Sequence, residues 1–146
     1  MTAGPLLIDT SIDEIVENFS FLDDWDDRYG YLIELGRALK PLSEEAHNEA
    51  NKVNGCVSQV WLEAEPFDED GATHLQLRGD SDAHIVRGLV AIALSLYSGR
   101  PASEIAETDA EPVFREIGLA EHLTPQRANG LRAMVSRIRE EARARL

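Results

Sequence analysis

The sequence predicts an α+β fold in which a small antiparallel β-sheet is flanked by helices. Two segments, 57–65 and 73–78, alternate apolar and polar residues with the period of a half-buried strand. A turn-rich stretch at 66–72 separates them, so we expect an antiparallel hairpin. A third strand is expected near Val53. Segments on both sides of the hairpin carry apolar residues at helical spacing, and these helices are expected to cover the sheet.

Three helices are predicted before the hairpin. The Ser-Ile-Asp-Glu sequence that begins at Ser11 has capping-box spacing and predicts the start of the first. The second is predicted to begin at residues 23–24. It ends before Pro41, because the residue preceding a proline avoids the helical conformation. Ser43 is expected to cap a short third helix that runs to Ala50.

The most apolar helix is predicted to follow the hairpin. The Asp-Ser-Asp tripeptide at 80–82 provides N-cap candidates for it. The apolar stripe beyond this tripeptide is wide and extends to Tyr97, which predicts a central and largely buried helix. Gly99 suits its C-terminal end. Two short helices and a long last one are predicted at residues 101–107, at 111–118 and from the cap and proline pair Thr124-Pro125 onward.

The net charge of −13 disfavours some classes of partner. With 27 acidic and 14 basic residues, the surface repels phosphate backbones and anionic lipids, so nucleic acids and membranes are not expected partners. The charge is uneven, because residues 1–36 hold nine acids and residues 125–146 hold six arginines. This pattern is typical of solvated helix faces. It is also compatible with a protein partner that docks in one orientation.

The single cysteine and the lack of targeting signals predict where in the cell the protein is located. A single cysteine excludes an internal disulfide and a zinc or iron–sulfur site built mainly from cysteines of this chain. No metal-ligand spacing matches a template, so no metal site is expected. No apolar run approaches the roughly 18–20 residues of a membrane helix, and the N-terminus lacks the features of a signal peptide. The expected location is the cytoplasm, where a thiol stays reduced.

The single cysteine, Cys56, is the candidate for chemistry. A lone free cysteine is usually a small buried hydrophobe. The position favours a reactive group, because Gly55-Cys56 falls at a loop-to-strand junction and loops on rigid scaffolds carry reactive side chains. A cysteine hydrolase would need a histidine base near the thiol. None of the histidines lies in a recognisable motif: His47, His74, His84 and His122.

Thiol exchange requires fewer catalytic groups than hydrolysis. A thiolate can attack a sulfur on another protein and hold the product as a sulfur–sulfur bond. A chain with one cysteine cannot release that product as an internal disulfide, so it must hand the sulfur on. The residues therefore permit a sulfur carrier, and they leave packing and hydrolysis open.

The segment around Cys56 resembles the signature of a known family. NKVNGCVSQVW, at residues 51–61, is similar to the cysteine motif of the SufE family, which includes CsdE. Residues 1–10 and the turn at 66–72 lie outside the resemblance. Further matches follow in order and at consistent spacing: Trp25 with Arg28-Tyr29 and Leu35-Gly36, Gly79-Asp80-Ser81-Asp82 with Ile85-Val86 and Gly88-Leu89, and Leu123-Thr124-Pro125 with Arg127, Gly130-Leu131 and Ala133-Met134.

The resemblance implies sulfur transfer. A SufE protein accepts persulfide sulfur, here on Cys56, from a pyridoxal-phosphate cysteine desulfurase of the SufS or CsdA type, and it stimulates that enzyme. It passes the sulfur to the SufB-containing SufBCD scaffold, on which iron–sulfur clusters are built. The chain would be a carrier and activator rather than an enzyme, with no cofactor of its own. The implied fold is α+β and IscU-like. From its length the chain is expected to be a single domain over residues 1–146, and residues 1–10 are expected to be a flexible end.

The resemblance also implies a set of residues around the thiol. The family's cysteine lies at the tip of a loop, where it can be tucked against apolar surface until the partner docks. Gly55, Ser58 and Gln59 flank it here, and Asp82 and Arg127 match positions near the loop. Helix capping by Asp82 and an ordinary surface role for Arg127 are the alternatives.

A different class of function is also compatible with the residues. The chain can be a binding module that activates a desulfurase allosterically, with the thiol of Cys56 incidental. In either case the resemblance implies a monomer or a weak homodimer. SufE-like and CsdE-like partnerships are both open.

Overall fold

The computed structural model describes residues 11–55 and 58–146. Cys56, Val57 and residues 1–10 lie outside the described residues, as does the side chain of Ala120. The predicted flexible end at 1–10 and the predicted position of Cys56 at a loop tip therefore fall outside the described residues.

The described residues form an α+β fold of helices around one two-stranded antiparallel sheet, which confirms the predicted fold class. The short helices expected at 101–107 and 111–118 are present, at Ala102–Glu107 and Glu111–Ile117. No helix in this part of the chain is long and apolar enough to cross a bilayer. In chain order the elements are α1 (Ile12–Ser20), α2 (Trp25–Ala38), β1 (Val60–Glu69), β2 (Ala72–Ser81), α3 (His84–Tyr97), α4 (Ala102–Glu107), α5 (Glu111–Ile117), α6 (Leu119–His122) and α7 (Pro125–Arg143).

The hairpin is longer than the sequence pattern predicted. β1 and β2 pair over their full lengths, up to Glu69 opposite Ala72. The long turn predicted at 66–72 is therefore wrong, and the turn consists of Asp70 and Gly71, with left-handed φ angles of 52° and 78°. Two left-handed residues in succession match the right-handed twist of paired strands, so the ladder continues up to the turn.

The segment before β1 contains turns, and the short helix predicted from Ser43 is wrong. Ser43 Oγ does accept a hydrogen bond from Ala46 N at 3.2 Å. Beyond it, side chains compete for the backbone groups that a helix would use. Asn48 Oδ1 accepts from Asn51 N at 2.9 Å, and Asn51 Nδ2 donates to Ala46 O at 2.9 Å. The third strand expected near Val53 is reduced to one isolated bridge.

Three helices begin at a capping side chain, whereas the cap predicted for α3 does not form. The side chains of Ser11, Asp24 and Thr124 each accept a backbone hydrogen bond in the first turn of α1, α2 and α7. The cap predicted for α3 at 80–82 is wrong, because β2 extends into that segment and α3 begins only after Ala83, without a side-chain cap. The side chains of 80–82 are therefore available for contacts outside the helix.

α3 is the buried centre of the fold, as its apolar stripe predicted. It packs against β2 and against α2, α7 and α1. Two glycines allow α2 and α3 to approach each other closely. A Cβ on Gly36 would lie 2.8 Å from the Cβ of Arg87, and one on Gly88 would lie 2.2 Å from the carbonyl oxygen of Leu32. Neither position has room for a larger side chain unless the helices separate.

Replacing Gly88 with alanine should destabilise the protein by about 1–3 kcal/mol, because the added methyl group meets the backbone of α2. Gly30 provides a control on the same helix pair, since it is exposed on α2 and a Cβ there would meet nothing within 4 Å. Gly30→Ala should be neutral or stabilising by up to about 1 kcal/mol. Urea unfolding measures both variants, and equal free energies of unfolding for the two would contradict the close approach.

Candidate functional site

A short backbone ladder holds the chain on both sides of the segment that carries the cysteine. Val53 N donates to Val60 O at 2.8 Å, and Leu62 N donates to Asn51 O at 2.8 Å. We call residues 50–53 the stem. The ladder joins the stem to the first residues of β1, so both ends of the segment between them have fixed positions.

Cys56 belongs to the segment 54–59 that connects the stem to β1, and Cys56 itself lies outside the described residues. Gly55 has a left-handed φ of 93°, which residues with side chains rarely adopt. A Cβ on Gly55 would lie 3.5 Å from the Cβ of Ala133, so the segment starts beside α7. Ser58, on the other side of the cysteine, is half-buried.

The C-terminal end of this segment is tied to the end of β2 by Gln59 and Asp82. The backbone N–H of Gln59 donates to Asp82 Oδ1 at 3.1 Å, and Gln59 Nε2 donates to Asp82 Oδ2 at 3.4 Å. In return the backbone N–H of Asp82 donates to the carbonyl oxygen of Gln59 at 3.3 Å. The pair thus extends the hairpin by one position beyond Val60 and Ser81. Asp82 holds the segment that leads back from Cys56, and it does not cap α3.

Arg127 does not join this group. Its backbone N–H donates to Thr124 Oγ1 at 3.3 Å, as part of the cap of α7. Its half-buried side chain has no hydrogen bond or ion pair with Gly55, Ser58, Gln59 or Asp82. Arg127 precedes Ala133, the neighbour of Gly55, by six positions, which is about 9 Å along the axis of α7.

Arg137 is a residue that the sequence did not single out. Its Nη2 donates to the carbonyl oxygen of Ala50 at 2.5 Å, and its Nη1 donates to the carbonyl oxygen of Lys52 at 3.1 Å. Its Nε lies 3.5 Å from Glu141 Oε1, one turn further along α7. One guanidinium therefore links α7 to two carbonyl groups of the stem. The partners lie 85 and more positions away in the chain, and the only signal in the sequence was the excess of arginine in 125–146.

A surface depression of about 250 Å³ lies between the stem and α7. It is adjacent to Gly55, and Arg137 forms part of its wall. Its lining residues are Val53, Asn54, Ala133, Ser136, Arg137 and Glu140.

The sequence matches the model of the family described as SufE: Fe-S metabolism associated domain, over residues 13–142. The matched range contains the stem, the segment 54–59 and most of α7. The chain belongs to the SufE family. Membership gives the protein a role in iron–sulfur metabolism, and it confirms the resemblance that the cysteine motif predicted.

Relatives of this SufE-family chain match it over nearly its full length. It is 57% identical over 145 residues to an uncharacterized SufE-like protein of Rhizobium etli, which covers 99% of this chain and 98% of that one. It is 53% identical over 137 residues to an uncharacterized SufE-like protein of Rhizobium meliloti, with coverage of 94% and 98%. The solution structure of a hypothetical protein from Thermus thermophilus superposes with a TM-score of 0.70 at 22% identity, over 91% of this chain and 93% of that one. This last likeness concerns the fold alone.

The histidines of this SufE-family chain lie in separate places. His47 touches the ladder through an edge-on contact with Trp61, with 4.7 Å between ring centroids. Both of its ring nitrogens have partners, Ser43 O at 2.8 Å and Asp80 Oδ2 at 2.7 Å. The described residues contain no group of three metal-ligating side chains that could hold an ion. The other histidines pack elsewhere: His74 near Gly99, His84 exposed on α3 and His122 stacked on Trp25.

Asp80 is the centre of a charged cluster behind the ladder. Its Oδ2 contacts His47, and its Oδ1 accepts a hydrogen bond from Ser81 N at 2.8 Å. Arg87 Nε lies 3.1 Å from Oδ1, at the distance of an ion pair but without the geometry of a hydrogen bond. The hydrogen bond with Asp80 raises the pKa of His47 above its ordinary value, against the opposing effect of burial. The cluster attaches the segment before the stem to the end of β2.

Most arginines of the C-terminal region contact other groups of the same chain. At least four of the six arginines bind groups of the same chain, so the charge asymmetry of the sequence does not by itself describe a free basic surface. Solvated faces and internal ion pairs account for most of it. The contacts are Arg132 with Glu111, Arg137 with the stem, Arg139 with the carbonyl oxygen of Ala106, and Arg145 with Glu141.

The His47–Asp80 contact predicts a pH dependence of stability. Because the pKa of His47 is raised in the folded state, its contribution is full below 6.5, the ordinary value, and is lost as the pH rises through the raised value. His47→Gln should therefore lower the melting temperature most below pH 6.5, and the deficit should shrink as the pH rises through the raised pKa.

Thermal unfolding of both proteins across this range measures the deficit. His84→Gln is the control, because it removes an exposed histidine without touching Asp80. A deficit for His47→Gln that grows with rising pH would contradict the assignment.

Proposed function

We propose that this chain is a sulfur acceptor and carrier. Cys56 accepts persulfide sulfur from a SufS-type cysteine desulfurase, the chain stimulates that enzyme, and the sulfur passes to a SufB-containing scaffold for iron–sulfur cluster assembly. The observation that carries the proposal is the family match over 13–142, within which the chain has a single cysteine in the family's motif. The C–S bond of the substrate cysteine breaks on the desulfurase, so this chain is not itself the enzyme.

The transfer is balanced without an oxidant or reductant. The Cys56 thiolate attacks the outer sulfur of the donor persulfide. The bond between the two donor sulfurs breaks, and the donor cysteine leaves as a thiolate. A new sulfur–sulfur bond now holds the outer sulfur and its proton on Cys56. A second exchange of the same kind delivers the sulfur to the acceptor.

The ladder supports this chemistry by fixing where the thiol can go. Cys56 follows Val53 by three residues, so its Cα stays within about 10 Å of the stem in any conformation. A donor persulfide must therefore come to the segment 54–59, and transfer needs a docked partner.

The remaining features of the proposal concern the whole chain. We propose a single domain over residues 1–146, a monomer or weak homodimer, in the cytoplasm, where Cys56 stays reduced between transfers. Around the thiol we propose supporting roles for Gly55, Ser58 and Gln59, and for Asp82 through its contact with Gln59. Arg127 is proposed as a contact for the docked partner, since its side chain is bound to none of these residues.

Incubation with a SufS-type desulfurase and free cysteine should increase the intact mass of the wild-type chain by one sulfur atom or a multiple of it. Reductant should reverse the gain, because the sulfur is held as a persulfide. Cys56→Ser should keep the fold and lose the gain completely.

The same variant separates a carrier from an allosteric activator. With reductant limiting, wild type should raise desulfurase turnover and Cys56→Ser should not. Equal stimulation by the two proteins would show that the thiol is incidental.

Asp82→Ala should slow sulfur acceptance about fivefold, because Gln59 loses both hydrogen bonds to the carboxylate and a net loss of about 1 kcal/mol corresponds to that factor. Its control is Asp109→Ala, which removes an exposed aspartate that accepts a backbone hydrogen bond from Glu111 at 3.0 Å, before α5. Single-turnover transfer from a persulfidated desulfurase measures both rates. A role limited to stability would slow the two variants equally.

A further inference from the structure

The stem has little backbone support of its own. It is joined to β1 by one isolated bridge, Lys52 opposite Trp61, and by the two hydrogen bonds on either side of that bridge. A pairing this short is marginal in water without further contacts. Val53 is anchored by its burial in the core, and the rest of the stem needs support from side chains outside the ladder.

Arg137 is the side chain that supplies this support from α7. It donates to Ala50 O and to Lys52 O, on both sides of the intervening Asn51. A guanidinium presents its donors in a rigid planar fork, so it can span two carbonyl groups that an ammonium cannot reach together. Only 24% of the side chain is exposed, and Glu141 at 3.5 Å keeps the charge paired.

The two ends of the segment 54–59 are thus held by different elements. Arg137 of α7 holds the chain that enters the segment, and Asp82, between β2 and α3, holds Gln59 where the chain leaves it. Loss of either contact would loosen one end of the segment while the other end keeps its contact.

We propose that Arg137 is a positioning residue for sulfur acceptance, which fixes the stem from which the Cys56 segment starts. This inference rests on the proposed function, because it takes Cys56 as the acceptor. Arg137 touches no reacting atom in this role. It acts by keeping the stem in the arrangement in which the docked donor meets the segment 54–59.

Arg139 is a matched control on the same helix. Its Nε and Nη2 donate to a single carbonyl oxygen, that of Ala106, at 3.2 Å and 2.9 Å. Arg137→Ala and Arg139→Ala each remove one arginine with two hydrogen bonds to backbone carbonyls. They differ in which segment is released, α4 for Arg139 and the stem for Arg137.

The experiment has two measurements. Amide hydrogen exchange by NMR should show faster exchange at Val53 and Leu62 in Arg137→Ala, and no change there in Arg139→Ala. In the desulfurase assay, Arg137→Ala should lower the maximal stimulated rate about tenfold, while the half-saturating concentration of the chain changes about twofold or less. Arg137→Lys, which keeps the charge and one donor position, should recover part of the rate and serves if the alanine variant does not fold.

Each outcome decides the proposal. Unchanged exchange at Val53 and Leu62 would overturn it, because the stem would not depend on Arg137. Faster exchange with the same maximal rate as Arg139→Ala would also overturn it, since the contact would then be structural only. If wild type gains no sulfur on Cys56, the proposed function fails and the positioning role fails with it, and the exchange data still report the contact with the stem separately.

Discussion

The burial of α3 against both the hairpin and α2 fixes the elements from which the site is built. On the side of α2, the contact is possible because Gly88 lies against the backbone of Leu32. On the side of the hairpin, a Cβ on Gly79 would lie 2.7 Å from Val90 Cγ1. These approaches leave no freedom to slide α3 along either neighbour. Since only two residues separate β2 from α3, the position of Asp82 follows from the position of the helix.

The site inherits its geometry from two packing relationships. The position of Asp82 is set by β2 and α3, whereas the position of Arg137 is set by α7. α3 also packs against α7, so the two holders of the segment 54–59 belong to one core. A change in the angle between α3 and α7 would move one end of the segment relative to the other. The charged cluster at Asp80 adds a third connection, because His47 attaches the chain before the stem to the same end of β2.

Local signals in the sequence predicted local structure well. The caps at Ser11 and Thr124 and the apolar stripe of α3 depend on residues within one or two turns, and the structure contains all of them. The errors arose where distant partners decide the outcome. Asp82 is a residue type that often caps helices, but here it pairs with Gln59 across the hairpin. The pairing of β1 with β2 likewise continues through most of the turn predicted at 66–72.

The site was predictable only as far as its motif is local. The family's cysteine motif locates the segment 54–59 in the chain, but Arg137 lies outside that motif. Its role depends on how α7 crosses the stem, which no spacing in the sequence encodes. Asn51 shows the same limit, because its side chain stabilises a turn with Ala46 where the pattern around Ser43 predicted a helix.

In the proposed function one thiol exchanges sulfur with a donor and then with an acceptor, and the fixed ends of the segment 54–59 favour both exchanges. Bringing the two ends of a loop together costs conformational entropy. Here the ladder brings them together during folding, before any partner docks. The two ends are then already in place when a partner docks, so more of its docking energy remains for aligning the sulfurs. A longer or untethered segment would reach further but would lose alignment at each transfer. In the proposed function the contacts at both ends therefore favour transfer between docked partners.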